Sequence, residues 1–223
     1  MAGFPLPVEF SDVSLSLDSR LDSQQHDIWL QLLHSAKKAG GHKVQVPASD
    51  ILLLGHADGL DTVLGFVKKN VTITLENGKN RANIQGPLLT SAWTLGDTIC
   101  YELPEYIDLG NPLFISKFNL LLRTNGKKGY ETDLFRLCTR FSQAADETYQ
   151  TPFLPIDTLR KELDSGEVYP QFRDFNRWVL KRAMQEINKS TLYRITVEYQ
   201  RQTQRITAAR FTLQGRRNGY DIL

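Results

Sequence analysis

Arg173, Asn176, Arg177 and Lys181 stand on one side of a segment whose other side repeats Phe172, Phe175, Val179, Ala183 and Ile187 at intervals of three and four. That spacing predicts a helix with one apolar stripe, Leu180 near its edge, and a polar face opposite. Packing and contact then do not compete for the same surface. A guanidinium can donate two parallel hydrogen bonds to guanine, and a carboxamide can both donate to and accept from adenine. Arg173, Asn176 and Arg177 are therefore the expected base-reading side chains. Lys181 and Arg182, farther along the helix, are expected to meet phosphates, which set affinity and position. A solvated basic face is the plain alternative for the helix taken alone.

The charge distribution tilts that balance. Residues 173 to 217 hold eleven Lys and Arg against three acids, whereas residues 1 to 172 hold sixteen against twenty-one, although the whole chain carries only +2. An excess of one sign in one segment suits a polyanion, with double-stranded DNA as the leading partner. Beyond the helix, Tyr193 to Tyr199 and Arg205 to Leu213 alternate apolar and polar residues around the polar Gln200 to Gln204. They predict a β-hairpin. Arg194, Arg201, Arg205 and Arg210 accompany it and are expected to reach DNA backbone or minor groove.

The elements needed to position these groups follow from the pattern. Glu131 to Phe141 and Leu154 to Leu163 predict two helices ahead of a third at Tyr169 to Lys189, so the second half reads helix, helix, helix, hairpin, the order of a winged helix-turn-helix domain. The first half predicts an irregular leader and a helix at Asp27 to Lys38. A strand at Val44 to Val46, a helix through Leu54, and a third over Leu60 to Lys69 follow. Strands are expected at Val71 to Leu75, Leu88 to Trp93 and Thr98 to Leu103, with a turn at Asn77-Gly78 and a closing helix at Phe114 to Leu122. Thr124 to Gly129 has the composition of a linker. The expected division is a leader over 1–19, a first domain over 20–125, a second over 126–215 and a tail over 216–223.

The run from Thr151 to Gln200 resembles the carboxy-terminal domain of iteron-binding plasmid replication initiators. The residues that carry the resemblance are Leu159, Arg160, Glu162 and Leu163, followed by Tyr169, Phe172, Phe175, Arg177, Val179, Leu180, Ala183, Glu186, Ile187 and Asn188. Asp27 to Lys38 is similar to the first helix of the broad-host-range branch, and Leu88 to Leu103 to its first-domain ribbon. The resemblance implies an α+β chain of two tandem winged-helix domains, each a small helical bundle with a β-hairpin wing. It further implies binding to directly repeated origin sites called iterons, opening of an adjacent AT-rich duplex, and recruitment of the host replication initiator and replicative helicase. Repression of its own promoter by a homodimer is a further implication. The first domain, whose basic patches are Lys37, Lys38, His42 and Lys43, and Lys68, Lys69, Lys79 and Arg81, would supply additional DNA contact or the dimer surface. A transcriptional repressor with a winged helix-turn-helix domain is the alternative reading.

Other chemistry lacks its residues. A nicking initiator needs clustered metal ligands beside a Tyr nucleophile, but His26, His34, His42 and His56 stand singly, with surface roles expected for His26 and His34. No GxxxxGK[ST] phosphate loop is present. No enzyme activity, cofactor or metal is expected. Cys100 and Cys138 are expected to be reduced and partly buried, no apolar run approaches bilayer-spanning length, and Met1 to Pro7 lacks the pattern of a signal peptide. A cytoplasmic protein without membrane contact is the expectation.

Overall fold

The computed structural model describes residues 12–18, 20–52, 58–77, 80–124, 129–141, 148–166 and 168–216. The chain divides into two compact units, Met1–Lys127 and Lys128–Leu223. Both mix helices with antiparallel sheets, an α+β fold whose helices and hairpins resemble winged-helix architecture.

In the first unit, β1 (Asp12–Leu17) lies inside the segment expected to be an irregular leader, and α1 (Ser23–Ala39) begins four residues before the predicted start. The reason for the early start is a capping box. The Asp22 carboxylate accepts from the Gln25 amide at 2.8 Å while the Gln25 side chain accepts from the Asp22 amide at 3.3 Å, satisfying two donors that the first turn cannot. Gly40, at φ 70°, ends the helix in the left-handed region that glycine occupies without steric cost. There follow β2 (Lys43–Pro47), α2 (Ala48–Leu52) and α3 (Gly59–Gly65), the last continued by a 3-10 turn at Phe66–Lys68.

Two sheets complete the unit. In one, β3 (Asn70–Asn77) lies between β1 and β4 (Asn80–Pro87), with Leu15 opposite Ile73 and Ile73 opposite Ile84. Gly78 of the expected turn is outside the described residues. The other sheet places β6 (Thr98–Glu102) between β2 and the edge strand β5 (Ser91–Leu95), and α4 (Pro112–Thr124) closes the unit. Gly86 is required by a close approach: a Cβ there would meet the Tyr106 ring at 2.8 Å. The core gathers Trp29, Phe66 and Phe118, with Trp29 edge-on to Phe66 at 6.0 Å, and its indole N–H donating to the buried Asn119 side chain at 3.2 Å.

His26, expected at the surface, is instead buried, its Nε2 3.3 Å from the Asn119 carbonyl oxygen. The physical reason is the phase of α1, which places His26 a turn before Trp29 and Leu30 on the inward side.

The second unit contains α5 (Tyr130–Arg140), β7 (Thr148–Gln150), β8 (Leu154–Pro155) and α6 (Ile156–Glu162). The third helix has three parts, α7 (Phe172–Phe175), a π-helical segment (Asn176–Leu180) and α8 (Lys181–Ser190). The hairpin is formed by β9 (Tyr193–Gln202) and β10 (Arg205–Gly215). Strand β10 is central, paired along one edge with β9 and along the other with β7 and β8. Its inward residues Ala209, Phe211 and Leu213 form the sheet side of a core completed by Phe135, Phe175, Val179, Ala183 and Ile187.

Candidate nucleic-acid interface

The helix of residues 172–190 carries a built-in correction of phase. Its apolar residues Phe175, Val179, Ala183 and Ile187 are spaced by four three times over. At 3.6 residues per turn such steps spread over about 120° in total, a broad face for one core. The wider turn at Asn176–Leu180 takes up part of that drift, and all four side chains are fully or almost fully buried, together with Leu180. The same correction applies to the opposite face. Arg173, Arg177 and Lys181 also recur by four and are all exposed, and Arg182 is exposed beside them.

Three contacts hold this helix to its surroundings. Arg160 on α6 donates to the carbonyl oxygens of Tyr169 and Pro170, the latter at 3.1 Å, while its guanidinium lies 4.5 Å from the centroid of the Phe175 ring. It thereby fixes the loop that enters the helix. At the start of the helix, Tyr199 of β9 donates its hydroxyl to the Asn176 side-chain oxygen at 2.6 Å and meets the Phe172 ring edge-on at 5.6 Å. Burial raises the Tyr199 pKa and keeps that hydroxyl a donor. At the far end, the Asn188 side chain accepts from the Ile195 amide at 2.8 Å and donates to the Ile195 carbonyl oxygen at 3.4 Å, so one residue pairs with the strand backbone as another strand would.

The nine residues expected to contact DNA are thus divided, seven of them over three places and two apart. Arg173, Arg177, Lys181 and Arg182 share the outward side of the helix. Asn176 lies on its wing-facing flank, half-buried, its carboxamide oxygen engaged by Tyr199. Arg201 and Arg205 are exposed at the hairpin tip, where β10 has passed beyond its pairing with β8 and only two strands continue. Thr203, at φ 56°, turns that tip.

Arg194 and Arg210 stand apart from these seven. Both alternate out of phase with the buried residues Ile195, Ala209 and Phe211, which places them on the sheet face turned away from the helix. Arg194 is also seven residues from Arg201, roughly 23 Å along an extended strand, and so lies at the hairpin base. Arg210 is half-buried, donates to Glu198 at 2.6 Å and stacks 4.5 Å from the centroid of Phe153. Its charge is matched within the sheet. Strand parity separates Arg194 and Arg210 from Arg201, which is opposite Ile206, but not from Arg205, which lies opposite Gln202 beyond the bulge and differs by standing at the exposed tip.

Two residues that the sequence analysis did not place at the DNA-contacting surface enter the site. Arg160 positions the helix as described. Trp178 is 41% exposed on the outward side of the π segment, with the Arg177 guanidinium 4.7 Å from its ring centroid.

Among the described residues no group of three or more His, Cys, Asp or Glu side chains is placed to hold a metal ion, and no helix is long and apolar enough to cross a membrane. His42 lies against the carbonyl oxygens of Leu103 and Pro104, and His56 is outside the described residues. Cys100 and Cys138 are free and buried.

Residues 155–213, from the end of β8 to Leu213 of β10, match the family model described as "Initiator Rep protein, WH2". A search of curated proteins finds no match. Among solved structures, the chain is similar to the Pi initiator protein in complex with iteron DNA, at 15% identity over 94% of this chain and 100% of that one, with a TM-score of 0.38. It is similar to domains 2–3 of RctB at 12% identity over 93% of both chains, TM-score 0.43. A third similarity, to the WH1 domain of MSBI1.176, a replication protein isolated from a multiple sclerosis patient, covers 48% of this chain and 86% of that one at 14% identity, TM-score 0.33.

Proposed function

We propose that the protein initiates DNA replication by binding directly repeated origin sites, using the outward face of the 172–190 helix in a major groove and the hairpin tip on the flanking backbone. The observation that carries this reading is the exposed row of Arg173, Arg177 and Lys181 on a helix whose opposite row is buried, within the segment that matches the initiator model. A helix so divided can enter a groove without disturbing its own packing. Arg173 and Arg177 read bases, Lys181, Arg182, Arg201 and Arg205 hold phosphates, and Asn176 reads a base chiefly with the donor side of its carboxamide, because Tyr199 already engages one lone pair of the oxygen. Binding several adjacent sites supplies the few kcal/mol needed to strain an AT-rich duplex without nucleotide hydrolysis. Recruitment of a host initiator and replicative helicase, and promoter repression by a homodimer, belong to the same reading.

The test is selection from a plasmid DNA library by the purified full chain at about 150 mM salt, a concentration at which nonspecific phosphate binding is weak. Enrichment of several directly repeated sites beside an AT-rich tract is the expected result. Recovery of a single inverted repeat at a promoter would replace initiation by repression, and the absence of any enriched sequence would remove the base-reading role.

A further inference from the structure

The outward side of the 172–190 helix is polar or charged except at one position. Trp178 exposes two fifths of its surface there, between the row of Arg173, Arg177 and Lys181 and the neighbouring Arg182. A single exposed apolar residue on an ordinary surface needs no explanation. On this surface it does, because the exposed cations draw a polyanion to the helix and so bring base edges up to the ring. The Arg177 guanidinium lies over the indole face at 4.7 Å, so the ring limits the directions the guanidinium can take. Side chains adjacent in sequence do not normally share a face of an α-helix, and the wider turn at Asn176–Leu180 is where this pair occurs.

The floor of a major groove offers donors, acceptors and one apolar group, the C5-methyl of thymine. We infer that Trp178 is a specificity-determining residue that packs its indole on a thymine methyl, next to the base pair read by Arg177. The inference rests on the reading of this helix as the DNA-contacting element, and adds to it a base and the atom recognised. The preferred site contains a thymine adjacent to the guanine contacted by Arg177. Uracil at that position, which has every hydrogen-bonding group of thymine and lacks only the methyl, is bound less well.

The experiment measures binding of the full chain to its selected site by fluorescence anisotropy, replacing each thymine in turn by deoxyuridine. The wild type and Trp178→Ala are compared, with Trp178→Phe as the conservative variant. For the wild type, one deoxyuridine lowers affinity about fourfold, the worth of one methyl group withdrawn from water. For Trp178→Ala the same replacement has no effect, and Trp178→Phe restores part of it. Equal sensitivity of wild type and Trp178→Ala to every replacement would overturn the inference. So would equal weakening of Trp178→Ala on selected and random DNA, which would assign the indole to sugar or backbone, or unchanged DNA binding, which would assign it to a protein partner. These outcomes leave the parent reading intact, whereas loss of all sequence preference by the wild type itself would remove both. Unchanged thermal melting of the variants separates contact from folding.

Discussion

At the scale of single residues, equal charge does not mean equal role. Arg177 is exposed on the row that faces outward from the buried Phe175, Val179 and Ala183, whereas Arg210 is spent on Glu198 and Phe153. Arg177→Ala is expected to lose about 1–3 kcal/mol on the selected site and far less on random DNA, as measured by competition binding. Lys181→Ala should weaken both alike. Tyr199 has a different task, holding the wing strand to the first turn of the helix through Asn176. Tyr199→Phe removes one hydrogen bond to a half-buried amide, and urea denaturation should show a loss of about 0.5–1.5 kcal/mol.

At the scale of elements, the π segment is what makes the helix usable on both sides. Without it the spacing by four would spread the core row over about 120° and the cation row over about 80° of the helix surface, and the wider turn narrows both. Phe175 is the anchor of this arrangement, fully buried and beneath the Arg160 guanidinium that fixes the entering loop. Phe175→Ala should cost about 3–5 kcal/mol of stability through the cavity it leaves, visible as a lower thermal midpoint. DNA binding would fall with it, although Phe175 touches no DNA. Outward substitutions at Arg173 or Arg182 should leave the melting curve unchanged, and that contrast identifies which faces pack and which contact.

At the scale of the molecule, charge and burial set the response to solvent. Four phosphate-directed cations, Lys181, Arg182, Arg201 and Arg205, predict a slope of about −3.6 for log affinity against log salt concentration, and Lys181→Ala should reduce its magnitude by about one. Burial raises the pKa values of Tyr101, Tyr106 and Tyr199, the first two strongly, and pushes the Cys138 thiol up to about 12. Each group is held neutral by the fold, so its contribution is complete below the unfolded-state value and is lost as pH rises through the raised one. Stability measured by urea denaturation should therefore begin to decline at about pH 9, where the unfolded thiol ionises, and fall more steeply above about pH 10, where unfolded tyrosines follow.

Much of this was legible from residue order because the signals are local. The spacing of apolar residues from Phe172 to Ile187, the alternation from Tyr193 to Leu213 and the one-signed charge of the last quarter depend only on neighbours along the chain. They led to the helix, the hairpin and an outward basic face. What stayed hidden depends on partners distant in sequence. Strand β1 was legible but passed over, since Val13, Leu15 and Leu17 alternate with Ser14 and Ser16, whereas β7, only three residues long, becomes a strand by pairing with β10 some sixty residues away. Arg194 and Arg210 looked equivalent to Arg201 and Arg205 until the sheet set Arg194 at the hairpin base, gave Arg210 an anionic partner and left Arg201 and Arg205 at the exposed tip. Trp178 lies off the apolar stripe by sequence phase alone, but its contact with the Arg177 guanidinium is seen only in the wider turn at Asn176–Leu180. Sequence by itself determined the charges, the periodicities and the residue types able to read a base. Tertiary structure decided which of those residues share one surface, since that depends on strand parity, helix phase and the partners that already neutralise them.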